Sequence, residues 1–322
     1  MRLPTRRAVI AGGAAGAVLS AARANEARAL MELDSAPRRV LWPGPPPGRL
    51  RAGAGLSGPP RPTRHGAIDH IAAPFLAIFR PERPNGAAML VSGGGGYEYI
   101  EIGPEALPAA RWLNSLGITA YVLGYRLPPE GWAGVGLAPL ADAQRAIRLI
   151  RAGAAADRLD PHRVGVMGFS AGGHLSAMAA TSPSWPAYPP IDAADRLSDR
   201  PALAMLVYPV ITVEAPYQTT HTARVLLAGD DGAANAARWS AQTHVGRATP
   251  PVFMAQAQDD PVASPDNTAI MLAACQAAGV PCERHLYATG GHGFGMGRPG
   301  TASMLWPGPG RAWLAARGFA SP

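Results

Sequence analysis

The chain has 322 residues, 48% hydrophobic and 16% charged, a globular composition that excludes wholesale disorder. Its 38 Gly and 34 Pro carry no G-X-Y period, which excludes collagen. No apolar run reaches the roughly 18 residues of a membrane helix. The formal net charge is +7 with Arg as the sole basic side chain besides His, and 2 Cys are too few for a disulfide framework or a structural zinc site.

Residues 1–24 have the layout of an export signal. Arg2, Arg6 and Arg7 give a basic start, residues 8–19 are mildly apolar, and Ala22-Arg23-Ala24 is an A-x-A cleavage site. Thr5-Arg6-Arg7-Ala8-Val9-Ile10 resembles a twin-arginine signal, an address read by the twin-arginine export machinery and not an anchor. This predicts a periplasmic or secreted protein with no membrane anchor. Four Arg and no acid fall within residues 1–24, so the remainder carries only +3. That is too mild a charge to point to nucleic acid. In an oxidising compartment Cys275 and Cys282 could pair, but sequence does not supply their Cα separation, and the pairing stays open.

Residues 25–65 are rich in Pro, Gly and Arg and read as an extended N-terminal arm, with Leu41 and Trp42 as its contacts to the body. From residue 66 to the end at 322 the pattern is that of one catalytic domain, in which strands alternate with helices. Strands are expected at residues 75–79, 88–91, 118–123, 164–167, 202–207, 252–257 and 285–287. Helices are expected at 109–116, from Pro139 to about 150, from Asp266 until Gly279 ends it, and at 312–318. Strands separated by helix-length segments imply an α/β fold with a mostly parallel central sheet and helices on both faces.

The chemistry-bearing residues fall at predicted strand ends. Gly168-Phe169-Ser170-Ala171-Gly172 follows a strand and precedes a helix, the context that a nucleophile elbow requires. A serine hydroxyl needs a base at neutral pH, and His292 sits between glycines just after the last strand. The imidazole in turn needs an acid to hold its tautomer. Asp259 and Asp260 both follow the strand at 252–257. Two adjacent buried charges are too costly, so one faces water; Asp260 is taken as the acid and Asp259 as its rival. Oxyanion donors are expected from the Ala171 N–H and from the glycine run at Gly94 and Gly95. That run lacks the Gly-Lys-Ser/Thr ending of a phosphate loop. Tyr97, Trp132 and Trp185 are candidates to stack on sugar rings. Asp192 and Asp195 lack a full oxygen-ligand pattern for Ca²⁺ and read as loop and capping residues, and no metal or organic cofactor is implied.

Taken together, several stretches resemble α/β-hydrolase esterases of the acetyl xylan esterase type. They are Gly94-Gly95-Gly96-Tyr97, Trp112-Leu113-Asn114-Ser115-Leu116-Gly117-Ile118, Tyr125-Arg126-Leu127-Pro128, Asp142-Ala143-Gln144-Arg145-Ala146, Gly168 to His174, Asp259-Asp260-Pro261-Val262 and Gly290 to Gly295. The resemblance implies the α/β-hydrolase fold, with Ser170 as nucleophile, Asp260 as acid and His292 as base. It also implies acetylated carbohydrate or a small ester as substrate. One departure lies near the mouth of the site: many members carry His-Glu-Gly where this chain has Ile102-Gly103-Pro104-Glu105. A general carboxylesterase or feruloyl esterase, and a peptidase of the prolyl-oligopeptidase type, are the alternative activities.

Overall fold

The structure, a computed structural model, describes residues 26–321 apart from 133–135, 184 and 231. The export signal expected at residues 1–24 lies outside the described residues. In chain order the strands are β1 (Arg38–Val40), β2 (Arg61–Pro62), β3 (Ile68–Asp69), β4 (Phe75–Phe79), β5 (Ala88–Ser92), β6 (Thr119–Gly124), β7 (Val164–Phe169), β8 (Ala204–Val207), β9 (Val252–Ala257) and β10 (Cys282–Tyr287). The helices are α1 (residues 26–35), α2 (Leu107–Ser115), α3 (Leu137–Ala152), α4 (Ala154–Asp157), α5 (Ser170–Thr181), α6 (His221–Leu226), α7 (Ala233–Arg238), α8 (Asp266–Ala278) and α9 (Pro307–Ala315).

Strands β2 and β3 pair with each other, and the other eight form one sheet in the order β1-β4-β6-β5-β7-β8-β9-β10. From β6 to β10 every pairing is parallel, whereas β1 and β4 run antiparallel at one side. Strands β5 to β9 are buried along their whole length, as their unbroken apolar runs require when helices cover both faces. The two edge strands differ in composition. β1 presents Arg38 and Arg39, and β10 presents Glu283 and Arg284, charges that discourage further strand addition.

Strand order places the site. After β5 the chain moves to β6 on one side and then to β7 on the other, so the carboxyl ends of β5 and β7 flank a switch point where connections diverge. Open α/β sheets bind ligands in that crevice.

The arm departs from the extended reading. Residues 26–35 form α1, which buries Ala29 and Leu33, and β1 then joins the main sheet beside β4. Leu41 and Trp42 are buried, and the Trp42 Nε1–H donates to Asp142 at 2.8 Å. Segments 43–58 keep the irregular course that their Pro and Gly content predicts. Helix α9 also starts earlier than expected, at Pro307, because proline suits a first turn whose N–H needs no partner. Cys275 and Cys282 are free thiols, Cys275 buried and Cys282 half-buried.

Candidate active site

The turn from β7 into α5 is set by two glycines. A Cβ on Gly168 would come within 2.1 Å of the Gly172 carbonyl oxygen, and one on Gly172 within 2.2 Å of the Ser92 oxygen. The tight turn drives Ser170 into the left-handed region at φ 50. For a residue with a Cβ this costs about 1–3 kcal/mol and persists only where the surroundings enforce it. Its reward is placement: Ser170 stands at the sheet rim at the start of α5.

Across the crevice, Ser170 Oγ lies 2.8 Å from His292 Nε2, and His292 Nδ1 lies 2.8 Å from Asp260 Oδ2. Asp260 is 8% exposed and heavily tied. It accepts from the Val262 and Ala263 N–H groups at 2.8 and 2.9 Å, and from Gln256 Nε2 at 2.9 Å. Asp259 points elsewhere, accepting the Gly291 N–H at 2.7 Å at the surface. It therefore shapes the turn that carries His292 without touching the imidazole. Arg298 braces the same turn from its other side by donating to the His292 carbonyl oxygen at 2.9 Å.

His174, four residues after Ser170, is sealed in the core. Its Nδ1 meets the Tyr97 hydroxyl at 2.8 Å and its Nε2 the Trp239 carbonyl oxygen at 2.7 Å. Burial lowers its pKa to about 4, so it is a neutral strut.

Oxyanion donors divide differently from the sequence expectation. Ala171 lies in the first turn of α5, where N–H groups have no intrahelical acceptor. Gly94 is close to Ser170, since a Cβ there would come 2.9 Å from Ser170 Cβ. Its N–H, however, donates to Glu105 Oε2 at 2.5 Å and is not free for substrate. The Gly95 N–H has no partner among the described residues. Of the expected oxyanion donors, the Gly95 and Ala171 N–H groups remain available, whereas the Gly94 N–H is committed to Glu105.

No motif assigned a role to the acid that holds Gly94. Glu105 lies in a single π-helical turn, Ile102–Ala106, and is 4% exposed. Its other oxygen accepts from the Tyr208 hydroxyl at 2.9 Å, and that hydroxyl accepts the Gly295 N–H at 3.0 Å. Burial pushes Glu105 up to about 8, against the pull of the Gly94 and Tyr208 hydrogen bonds. The Tyr208 ring stands edge-on to His292 at 5.0 Å. The available sequence signals were indirect: Tyr208 closes a strand on the catalytic side, and Glu105 lies in the segment that departs from the family pattern.

Ser170 and His292 open on a pocket of about 420 Å³ that Tyr99, Glu101, Val210 and His221 also line. Its rim is polar. His221 Nε2 is 2.7 Å from Glu98 Oε1, and Glu101 keeps one buried carboxyl oxygen without a partner among the described residues. Burial pushes Glu101 up to about 7, with Arg64 opposing.

The three aromatic candidates for sugar stacking are not in this lining. Tyr97 is 1% exposed and spends its hydroxyl on His174. Trp132 is buried against the Arg126 guanidinium, 4.9 Å from the ring centroid. Trp185 stacks on Trp239 at 5.5 Å. Tyr97 and Trp132 are buried and Trp185 is half-buried against Trp239, so packing took these rings away from the mouth, and Tyr99 is the aromatic among the described residues that lines the pocket. Asp192 and Asp195 are held by Arg145, and Asp192 also caps a short 3₁₀ turn, as the loop-and-cap reading expects.

Comparison with known proteins places this geometry. The BD-FAE family model matches residues 122–274. An acetylxylan esterase of Xylanibacter ruminicola is 32% identical over 228 residues, 69% of this chain and 44% of that protein. Endo-1,4-beta-xylanase B of Butyrivibrio fibrisolvens is 30% identical over 211 residues, 64% of this chain and 32% of that one. The chain thus spans less than half the length of these two curated relatives. The crystal structure of an acetyl ester-xyloside bifunctional hydrolase from Caldicellulosiruptor lactoaceticus superposes with a TM-score of 0.74 at 30% identity. That match covers 89% of this chain and 98% of the other.

Proposed function

The chain belongs to the BD-FAE family of α/β-hydrolase esterases, and on that premise we propose that it is an exported serine esterase that removes acetyl groups from xylan or xylo-oligosaccharides. The observation that carries the mechanism is the continuous hydrogen-bonded line from Ser170 through His292 to Asp260.

Ser170 Oγ attacks the acetyl carbonyl carbon as His292 Nε2 takes its proton. Asp260 holds the imidazole by Nδ1 and stabilises its charged form. The carbonyl oxygen, now an anion, is met by the Gly95 and Ala171 N–H groups. The ester C–O bond breaks, and His292 passes the proton to the departing alcohol. Water, deprotonated by the same imidazole, attacks the acetyl-serine; acetate leaves and Ser170 regains its proton. The strained backbone at Ser170 is part of this design, because it lifts Oγ clear of the sheet.

Two observations bear on the alcohol half of the substrate. The relatives by name include an acetylxylan esterase and a xylanase, and the pocket rim carries the polar groups Glu98, Glu101 and His221 that suit a polyhydroxy leaving group. The absence of Trp132 and Trp185 from the lining favours a second reading, a general carboxylesterase.

Acetate release from acetylated xylo-oligosaccharides, run beside p-nitrophenyl acetate and a Ser170→Ala control, separates the two. Release lost in the variant supports the deacetylase. Turnover of p-nitrophenyl acetate alone leaves the general carboxylesterase. Export belongs to the same proposal, and replacing Arg6 and Arg7 together by Lys is expected to retain the protein in the cytoplasm.

A further inference from the structure

We propose that Glu105 is a positioning residue for this reaction, fixing the oxyanion loop and the His292 loop relative to each other through Gly94 on one side and Tyr208 with Gly295 on the other. The inference rests on the serine-esterase reading of the site and adds a residue that reading does not need.

Four observations converge. First, Glu105 is buried with no cation bonded to it among the described residues, although a carboxyl group in such a place is costly. Side chains of that kind persist where both oxygens are used. Second, both are used on catalytic loops. Oε2 takes the Gly94 N–H at 2.5 Å, and Oε1 takes the Tyr208 hydroxyl at 2.9 Å. Third, Tyr208 relays the contact. Its oxygen accepts the Gly295 N–H at 3.0 Å, three residues beyond His292, and its ring edge supports the imidazole. Fourth, the backbone at these points is pinned. Gly295 has φ 51, and a Cβ there would come 2.5 Å from the Pro104 carbonyl oxygen, so the His292 loop and the Glu105 turn are in direct apposition. Trp306 Nε1 donates to the Gly295 carbonyl oxygen at 3.0 Å and closes the far side.

The consequence is geometric. With the Gly94 N–H committed to Glu105, the next amide, Gly95, is the one left for the developing oxyanion. Releasing Gly94 lets the glycine run turn either amide toward the acyl oxygen or away from it. Releasing Gly295 lets His292 drift from Ser170. Neither change touches the alcohol half of a substrate, so the loss falls on the transition state and is read in kcat with KM little altered.

The test uses the full chain and three variants, Glu105→Ala, Glu105→Gln and Tyr208→Phe. Active sites are titrated with a fluorophosphonate, and kcat and KM for p-nitrophenyl acetate are expressed per titrated site. Glu105→Ala is expected to lower kcat about 100-fold with KM within about twofold, near the low end of what loss of an oxyanion donor costs. Glu105→Gln keeps an acceptor for Gly94 and a polar contact to Tyr208, so it is expected to recover all but about tenfold. Tyr208→Phe is expected to lose about tenfold, and the double variant Glu105→Ala/Tyr208→Phe to be no worse than Glu105→Ala, since one chain of contacts is cut twice.

A merely structural Glu105 would lower the thermal midpoint and the titratable fraction while kcat per site stayed at the wild-type value. That result overturns the proposal. Should Glu105→Ala fail to fold, Glu105→Gln and Tyr208→Phe carry the test, and wild-type kcat in both overturns it equally. A wild-type protein that neither labels nor turns over points instead to failure of the serine-esterase reading, and the positioning role falls with it.

Discussion

Among the described residues, two of the places that bury carboxyl groups satisfy them in opposite ways. In α3, Asp142 is fully buried against an equally buried Arg126, with bonds of 2.8–3.1 Å from Nε and Nη2. It also takes the Trp42 indole N–H and the Arg126 backbone N–H. Arg145, one turn on, is clasped by Asp192 and Asp195. At the carboxyl ends of the strands, Asp260 and Glu105 take backbone amides, an amide side chain, an imidazole and a phenol, and no guanidinium. The first group neutralises charge in place and locks the N-terminal segment to α3. The second holds acids by dipoles, which orient them and leave the net charge of the site free to change as a proton moves. Fixed ion pairs serve assembly; dipole-held acids serve chemistry.

The contrast is sharpest at its catalytic end. Ser170→Ala is expected to lower kcat/KM by about 10⁴-fold or more while leaving the thermal midpoint near the wild-type value, since both residues face the same strained φ. A midpoint shift of many degrees would show that the elbow also carries assembly. Asp260→Asn comes next, with a loss of about 10⁴-fold in kcat. The amide still accepts from Val262 and Ala263, but it presents donors to His292 Nδ1 and so favours the wrong tautomer. Retention of the thermal midpoint beside that loss is the expected signature, read by scanning calorimetry.

At the assembly end the expected effects reverse. Asp142→Asn strands the Arg126 guanidinium in the core, and breaking one side of a buried pair costs about 3–5 kcal/mol. Denaturant unfolding should show that loss while kcat per titrated active site stays unchanged. A fall in kcat without a fall in stability would dissolve the distinction drawn between the two regions.

How far each region was legible in the sequence follows the same line. The elbow and the His292 loop were readable because steric rules name glycine at fixed offsets from the reacting residue. The choice of Asp260 over Asp259 rested on a physical rule, that adjacent acids do not both bury, and the geometry places Asp260 on His292 and Asp259 at the surface. The long strands were readable from apolar runs. What sequence could not show was contact between distant segments. Tyr125-Arg126 and Asp142-Ala143 were visible as a family match without a role, and only the fold reveals the ion pair between them. Trp132 and Trp185 failed as pocket residues because nothing local says whether a large ring turns to the mouth or to the core. Glu105 was invisible for the same reason, its partners lying 11 and 103 residues away.

A further expected effect separates the regions by pH. Asp192 and Asp195 are held below the usual carboxylate range, Asp192 chiefly by its bond to Arg145 and Asp195 by Tyr188 and Arg145 against its burial. A depressed folded value gives stability that is present above the unfolded pKa of about 3.9 and is lost as pH falls through the folded one. Glu105 has the opposite sign. Its folded value, near 8, lies above the unfolded value of about 4.3, so its contribution is full below pH 4 and drains away as pH rises toward 8. Glu101, raised to about 7, adds to the same slope, and His174, lowered to about 4, opposes it below about pH 6.5. These neighbours cancel when wild type is compared with Glu105→Gln, which has no proton to lose there. The stability difference between the two proteins should therefore shift in favour of the variant as pH rises from 5 to 8 and level off above 8. A difference that stays flat across that range would mean that the Gly94 and Tyr208 dipoles already hold Glu105 ionised, and that charge as well as geometry is fixed at the catalytic end.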